Sequence, residues 1–179
     1  MIKFVDFYLG SSILFLYILL AWLFRRTGFD NISKDVIVSP KSGRVLSIKS
    51  GYSHHLIGDD LLEVEVGYNF IGGYGLYFPC CGEVCDFYDE HGNKKILVLF
   101  QSDDGYKIGI SIRKNIFGFY PRIWLSVGDR GSCGANFGYF PFGGKILLYI
   151  PKDFDVAVDI GSRLCGGKSI IAVIAGAKD

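Results

Sequence analysis

Pro40-Lys41-Ser42-Gly43-Arg44-Val45 and Pro79-Cys80-Cys81-Gly82-Glu83-Val84 carry one pattern, P-x-x-G-x-V, at two places in the chain. A second doubled signal lies downstream, where Val127-Gly128-Asp129-Arg130-Gly131-Ser132-Cys133-Gly134 resembles Ile160-Gly161-Ser162-Arg163-Leu164-Cys165-Gly166. Each copy reads as a short strand entering a tight glycine turn, where only Gly takes a positive φ without steric cost. Doubled signals of this kind mark an internal repeat. Around them the apolar residues recur with a period near two. Ile37-Val38, Val45-Leu46-Ile48, Leu61-Val64-Val66, Ile96-Val98-Phe100, Ile108-Ile110-Ile112, Ile123-Leu125-Val127 and Ile146-Leu148-Ile150 are strand candidates. His91-Gly92-Asn93 and Asp103-Asp104-Gly105 read as hairpin turns.

The 179 residues are half hydrophobic and 21% charged, with a net charge of +1 and a mean hydropathy of +0.31. That length fits one domain. The composition excludes a disordered chain, and the small net charge argues against nucleic acid as a partner. The high hydropathy has a local source. Phe7–Phe24 is a run of 18 residues without a charge, bounded by Asp6 and by Arg25-Arg26. As a helix it would be about 27 Å long, near the thickness of a bilayer's hydrocarbon core. Tyr8 and Trp22 stand near its ends, where aromatic belts form. The run is long for a signal-peptide core and no small-x-small cleavage site follows it. The sequence therefore predicts a membrane anchor over 1–26 with a transmembrane helix at about 7–24. A polar linker over 27–35 and a β domain over 36–179 follow. Arg25-Arg26 set against Lys3 and Asp6 puts the β domain on the cytoplasmic side, or on its mitochondrial equivalent, the matrix side. Five cysteines, an odd number with two adjacent, argue against a disulfide framework and for a reducing compartment.

The doubled turns resemble the barrel-sandwich hybrid fold of biotinyl and lipoyl domains, in duplicated form. The fold expectation is thus mainly β: a duplicated barrel-sandwich domain with one N-terminal transmembrane helix. No lysine stands at a Met-Lys-type hairpin tip, which speaks against a swinging-arm carrier.

The order of motifs resembles the phosphatidylserine decarboxylase family, in its short form with a single anchor. Trp22-Leu23-Phe24-Arg25-Arg26 is similar to the family's aromatic-Phe-Arg run at the membrane exit. Val38-Ser39-Pro40-Lys41-Ser42-Gly43-Arg44-Val45 is similar to its S-P-x-D-G-x-V, and Pro79–Val84 to its P-x-x-G-x-V. Asp104-Gly105-Tyr106-Lys107-Ile108-Gly109 resembles D-G-x-x-I-G. Gly138-Tyr139-Phe140-Pro141-Phe142-Gly143-Gly144-Lys145-Ile146, running on to Pro151, resembles the family's G-x-F-x-F-G-S segment. The resemblance covers about residues 20–175.

In that family the Ser of the Gly-Ser pair attacks the preceding peptide bond, and the chain cleaves itself. The Ser becomes a pyruvoyl group, which forms a Schiff base with the substrate amine and takes the carbanion left as CO₂ departs. The resemblance places Gly143-Gly144 at that pair, and Gly144 has no hydroxyl. The family's His falls on Tyr74, a phenol with a pKa of about 10 and a poor base at pH 7. The acidic residue of S-P-x-D-G falls on Ser42. The expectation that follows is a member without catalysis or cofactor, acting as a structural or assembly subunit of a larger membrane complex. Its seat would be the mitochondrial or a bacterial inner membrane. The alternatives are a phospholipid-binding or regulatory protein that keeps the substrate pocket, with Tyr139, Phe140 and Phe142 as lining, or an activator in trans of a true decarboxylase.

Other clusters are weaker. Gly161–Ser169 has the wrong spacing for a phosphate loop and runs into a strand-like segment, so it reads as a turn. Cys80, Cys81 and Cys85 lack the paired C-x₂-C spacing of zinc sites and read as small apolar residues; no metal is expected. His54-His55 with Asp59-Asp60 reads as an exposed polar loop. Ser132 and Ser162 each follow a Gly but lie far from the family's serine position. Lys41, Arg44, Lys49 and Lys94-Lys95 read as a solvated face.

Overall fold

The residues with period two pair into three antiparallel sheets. The computed structural model describes residues 2–23, 35–67, 73–90, 95–113, 120–141 and 144–175. One helix, α1 (Ile2–Leu23), precedes β1 (Val36–Val38), β2 (Gly43–His54), β3 (Gly58–Gly67), β4 (Gly75–Tyr77), β5 (Gly82–Glu90), β6 (Lys95–Ser102) and β7 (Lys107–Arg113). The chain continues through β8 (Arg122–Ile123), β9 (Arg130–Gly131), β10 (Asn136–Tyr139), β11 (Ile146–Pro151), β12 (Phe154–Val156), β13 (Arg163–Leu164) and β14 (Ile170–Ile174). The sheet orders are β13-β2-β3-β11-β7-β6-β5-β9, β1-β14-β12 and β4-β10-β8.

The internal repeat is visible in the hydrogen bonds. Gly43 and Arg44 pair with Leu164 and Arg163, as Gly82 and Glu83 pair with Gly131 and Arg130. Gly161 N–H donates to Val45 O at 2.8 Å, and Gly128 N–H donates to Val84 O at 2.8 Å. Gly161 and Gly128 sit at φ +92° and +91°, the left-handed region that a side chain would strain. The two P-x-x-G turns are also bonded to each other. Val38 N–H donates to Pro79 O at 2.8 Å and Tyr77 N–H to Pro40 O at 2.9 Å. The large sheet therefore reads the same from either edge.

Alternation decides which face is buried. Val64, Val66, Val98, Phe100, Ile110, Ile112, Ile146 and Leu148 join Val45 and Val84 in the main core. On the other face Leu61, Leu97, Leu99, Leu147 and Tyr149 form a smaller cluster under Leu56 and Ile57.

Three details differ from the sequence reading. The strand expected at Ile123–Val127 stops at Ile123, because Ser126 and Asp129 bond each other in a turn and leave Val127 exposed. Strand β5 is unannounced by periodicity because a bulge between Val84 and Asp86 breaks its alternation. The third concerns the N-terminus. The described side chains of α1, at Tyr8 and over 10–22, are all exposed. Among the described residues no helix is long and apolar enough to cross a membrane. Phe24, Arg25 and Arg26 lie outside the described residues, so the structure does not establish the span expected at 7–24. The turn expected at His91–Asn93 also lies outside them. The turn at Asp103–Gly105 is present, with Gly105 N–H donating to Ser102 O at 2.9 Å.

The two P-x-x-G glycines are equally crowded. A Cβ at Gly43 would lie 2.0 Å from Gly67 O, and one at Gly82 would lie 2.0 Å from Gln101 O. Gly43→Ala and Gly82→Ala should each cost about 3 kcal/mol. Urea denaturation should give the two variants similarly lowered midpoints.

Candidate functional site

Between β1 and β2 the chain turns through Ser39–Ser42. Ser39 N–H donates to Ser169 O at 2.8 Å, and Ser39 O accepts from Gly167 N–H at 2.8 Å. Ser42 Oγ accepts from Gly166 N–H at 2.9 Å, and Ser39 Oγ–H donates to Lys41 O at 2.6 Å. This clamp against the β13–β14 turn drives the Lys41 side chain inward, leaving it 1% exposed. Its Nζ donates to Gly144 O at 3.0 Å and lies 4.9 Å from the centre of the Phe140 ring. No carboxylate pairs with it among the described residues. Burial without a counter-charge disfavours the ammonium form, and the amine's pKa falls from 10.5 to about 7.

Gly144 is packed as tightly. A Cβ there would stand 2.1 Å from Phe140 Cε1 and 3.0 Å from Arg113 O. Phe140 is fully buried, and its N–H donates to Tyr74 O at 2.7 Å. Tyr74 is buried too, and burial raises its phenol pKa further above neutrality. The structure thus gathers the three positions singled out in the sequence. Gly144 and Phe140 are in contact, Tyr74 joins through Phe140, and Ser42 joins through its neighbour Lys41.

The pocket lining expected at Tyr139, Phe140 and Phe142 is not assembled by the described residues. Phe140 is part of the main core, whereas Tyr139 sits edge-on to Trp124 at 5.4 Å. Phe142 lies outside the described residues. Lys41, read in the sequence as solvated, is the residue that reasoning missed. The repeat held the signal: the matching residue of the second copy is Cys80, and Cys80 is buried as well.

The remaining candidates do not converge on this site. His54 is buried at the end of β2, stacked on His55 and tilted against Tyr149, while Asp60 pairs with Lys152 at 2.7 Å. These residues form a hairpin rather than the polar loop expected. Cys80 is buried, and Cys133 N–H donates to Cys81 Sγ at 3.1 Å. Burial and the neighbouring Cys81 push the Cys133 thiol up to about 12. The chain turns from β13 into β14 at Cys165–Ser169, with Ser169 Oγ accepting from Cys165 N–H, while Ser162 Oγ accepts from Asp159 N–H in the turn before β13.

Comparison with known proteins bears on the same locus. The sequence pattern of the phosphatidylserine decarboxylase family matches residues 84–172. The phosphatidylserine decarboxylase proenzyme of Amoebophilus asiaticus is 28% identical over 93% of this chain and 80% of its own length. Proteins of the same name from Symbiobacterium thermophilum and Porphyromonas gingivalis are 26% and 23% identical. They cover 94% and 93% of this chain, and 85% and 86% of their own lengths. This chain belongs to the phosphatidylserine decarboxylase family. No solved structure matches it. The expectation that the chain is not an enzyme is overturned by these relatives, each named a decarboxylase proenzyme. The pyruvoyl group that the family resemblance implies does not fit at residue 144. The residue has no hydroxyl, and the Phe140 ring fills the place of a Cβ.

Two outcomes follow from this packing. Gly144→Ser should lower stability by about 1–3 kcal/mol, and Phe140→Leu in the same chain should recover part of the loss. Thermal unfolding of the single and double variants reads this. The second concerns pH. Burial lowers the pKa of folded Lys41 to about 7, while the unfolded side chain keeps the ordinary value of 10.5. Between those values the unfolded state binds more protons, so stability rises as pH goes from about 7 to about 10. Lys41→Met should flatten that rise in urea midpoints measured across the same range.

Proposed function

We propose that this chain takes phosphatidylserine, the lipid in its relatives' name, at a membrane, with the headgroup held near Lys41, Phe140 and Gly144. The observation that carries this reading is the buried Lys41 amine. It has no carboxylate partner among the described residues and donates to the carbonyl of Gly144, the residue that the family resemblance sets at the reacting serine. A buried polar group of this kind is costly and collects at functional sites. Near pH 7 the amine stands between neutral and charged, so a headgroup carboxylate would draw a proton onto it and pair with it.

Helix α1 supports the membrane part of the reading. Ile13, Leu14, Phe15, Leu16, Tyr17 and Ile18 are each more than half exposed, a contiguous apolar surface that suits lipid. In this reading α1 anchors the chain, and residues 36–179 form a duplicated barrel-sandwich domain on the cytoplasmic side or its equivalent.

The test is reconstitution of the full chain into vesicles of phosphatidylserine and phosphatidylcholine, re-extraction, and analysis of the lipid retained and of any phosphatidylethanolamine formed. Phosphatidylserine should be retained over phosphatidylcholine. Lys41→Met should weaken that retention about tenfold, the loss of one charge-assisted hydrogen bond. Equal retention of both lipids with no phosphatidylethanolamine formed would sink the reading.

A further inference from the structure

The face of the large sheet opposite the main core carries a row of charge that the Lys41 site does not use. Ile96, Ile112 and Ile146 point into the core, so Lys95, Arg113 and Lys145, each one residue away, point outward at one level. Lys95 stands directly opposite Arg113 in the β6–β7 ladder. Arg113 N–H donates to Lys145 O at 3.2 Å, which extends the row to a third strand. Neighbouring strands are about 4.8 Å apart, and like charges directly opposite destabilise a ladder.

Only part of this charge is neutralised. Lys145 pairs with Glu65 at 2.7 Å, and Lys49 with Glu63 at 3.7 Å. Lys95 and Arg113 make no ion pair among the described residues. All six side chains line one cleft of about 370 Å³, with Tyr52 and Tyr149 stacked at 5.2 Å on its wall. Four cations against two carboxylates leave the cleft two positive charges in excess. Two residues back along β7, on the same face, Ser111 is fully buried and its hydroxyl has no hydrogen-bond partner. Its cross-strand neighbour Leu147 lines the cleft. Opposed cations beside a concave surface are a cost that a bound dianion removes.

We propose that this cleft binds the phosphate of an organic phosphate ester, with Lys95 and Arg113 as its charge partners. The ester's source is a phospholipid headgroup or a soluble phosphomonoester, and the two share the chemistry. The Lys41 side chain is buried on the core side of the sheet, whereas the Lys95, Arg113 and Lys145 side chains line the opposite face.

The test uses the full chain in mild detergent. Calorimetry with inorganic phosphate and glycerol 3-phosphate probes the soluble source. Co-flotation with phosphatidylcholine vesicles, with and without phosphatidic acid, probes the lipid source. Lys95→Gln and Arg113→Gln keep a polar side chain and remove the repulsion, so thermal midpoints at low salt should hold or rise. Each should weaken binding about tenfold, and added salt should weaken the wild type. Arg122→Gln, on the separate β8, should bind as the wild type does. Binding of a soluble probe assigns the soluble source; binding only to phosphatidic acid vesicles assigns the lipid. The proposal is overturned by binding to no probe, by folded variants that bind as the wild type does, or by equal loss in Arg122→Gln.

Discussion

The two P-x-x-G turns hold each other. Val38 donates to the carbonyl of Pro79 and Tyr77 to the carbonyl of Pro40, so each half of the domain completes the other's turn. A buried backbone amide must find a partner, and for Val38 and Tyr77 the partner is in the opposite copy. The glycine that ends each turn lies against a strand backbone too closely for any Cβ. The residue after each proline is left nowhere to go but inward. In the second copy that residue is Cys80, which behaves as a small apolar group. In the first it is Lys41.

One backbone plan thus produces one ordinary core position and one expensive one. Lys41 keeps its place through the carbonyl of Gly144 and the face of Phe140. Phe140 in turn needs residue 144 to lack a Cβ. The lysine, the ring and the glycine therefore form one packed unit. The glycine that the family resemblance sets at the serine position is matched by the space around it. Family membership and local packing speak to different matters: the first to ancestry, the second to which groups surround residue 144.

Much of the architecture was legible in the residues. The doubled turns announced the repeat, and the strands with clean alternation, such as Ile108-Ile110-Ile112 and Ile146-Leu148-Ile150, lie where their spacing put them. Strand β5 was hidden because its bulge shifts the register by one residue, which moves every later side chain to the other face. At the site, motif order singled out Ser42, Tyr74 and Gly144. Lys41 was passed over because lysine is so seldom buried that its type outweighs its position. Only the comparison with Cys80 in the other copy could have corrected that. The charged row at Lys95, Arg113 and Lys145 spans three segments distant in sequence, and only the pairing of strands brings it together.

The exchanged hydrogen bonds between the turns also govern how the domain comes apart. A half that opened alone would strand amide and carbonyl groups in its twin, so partial opening gains little and the two halves melt together. Such a domain presents few half-open forms to a protease, and the cell would meet it either whole or wholly unravelled.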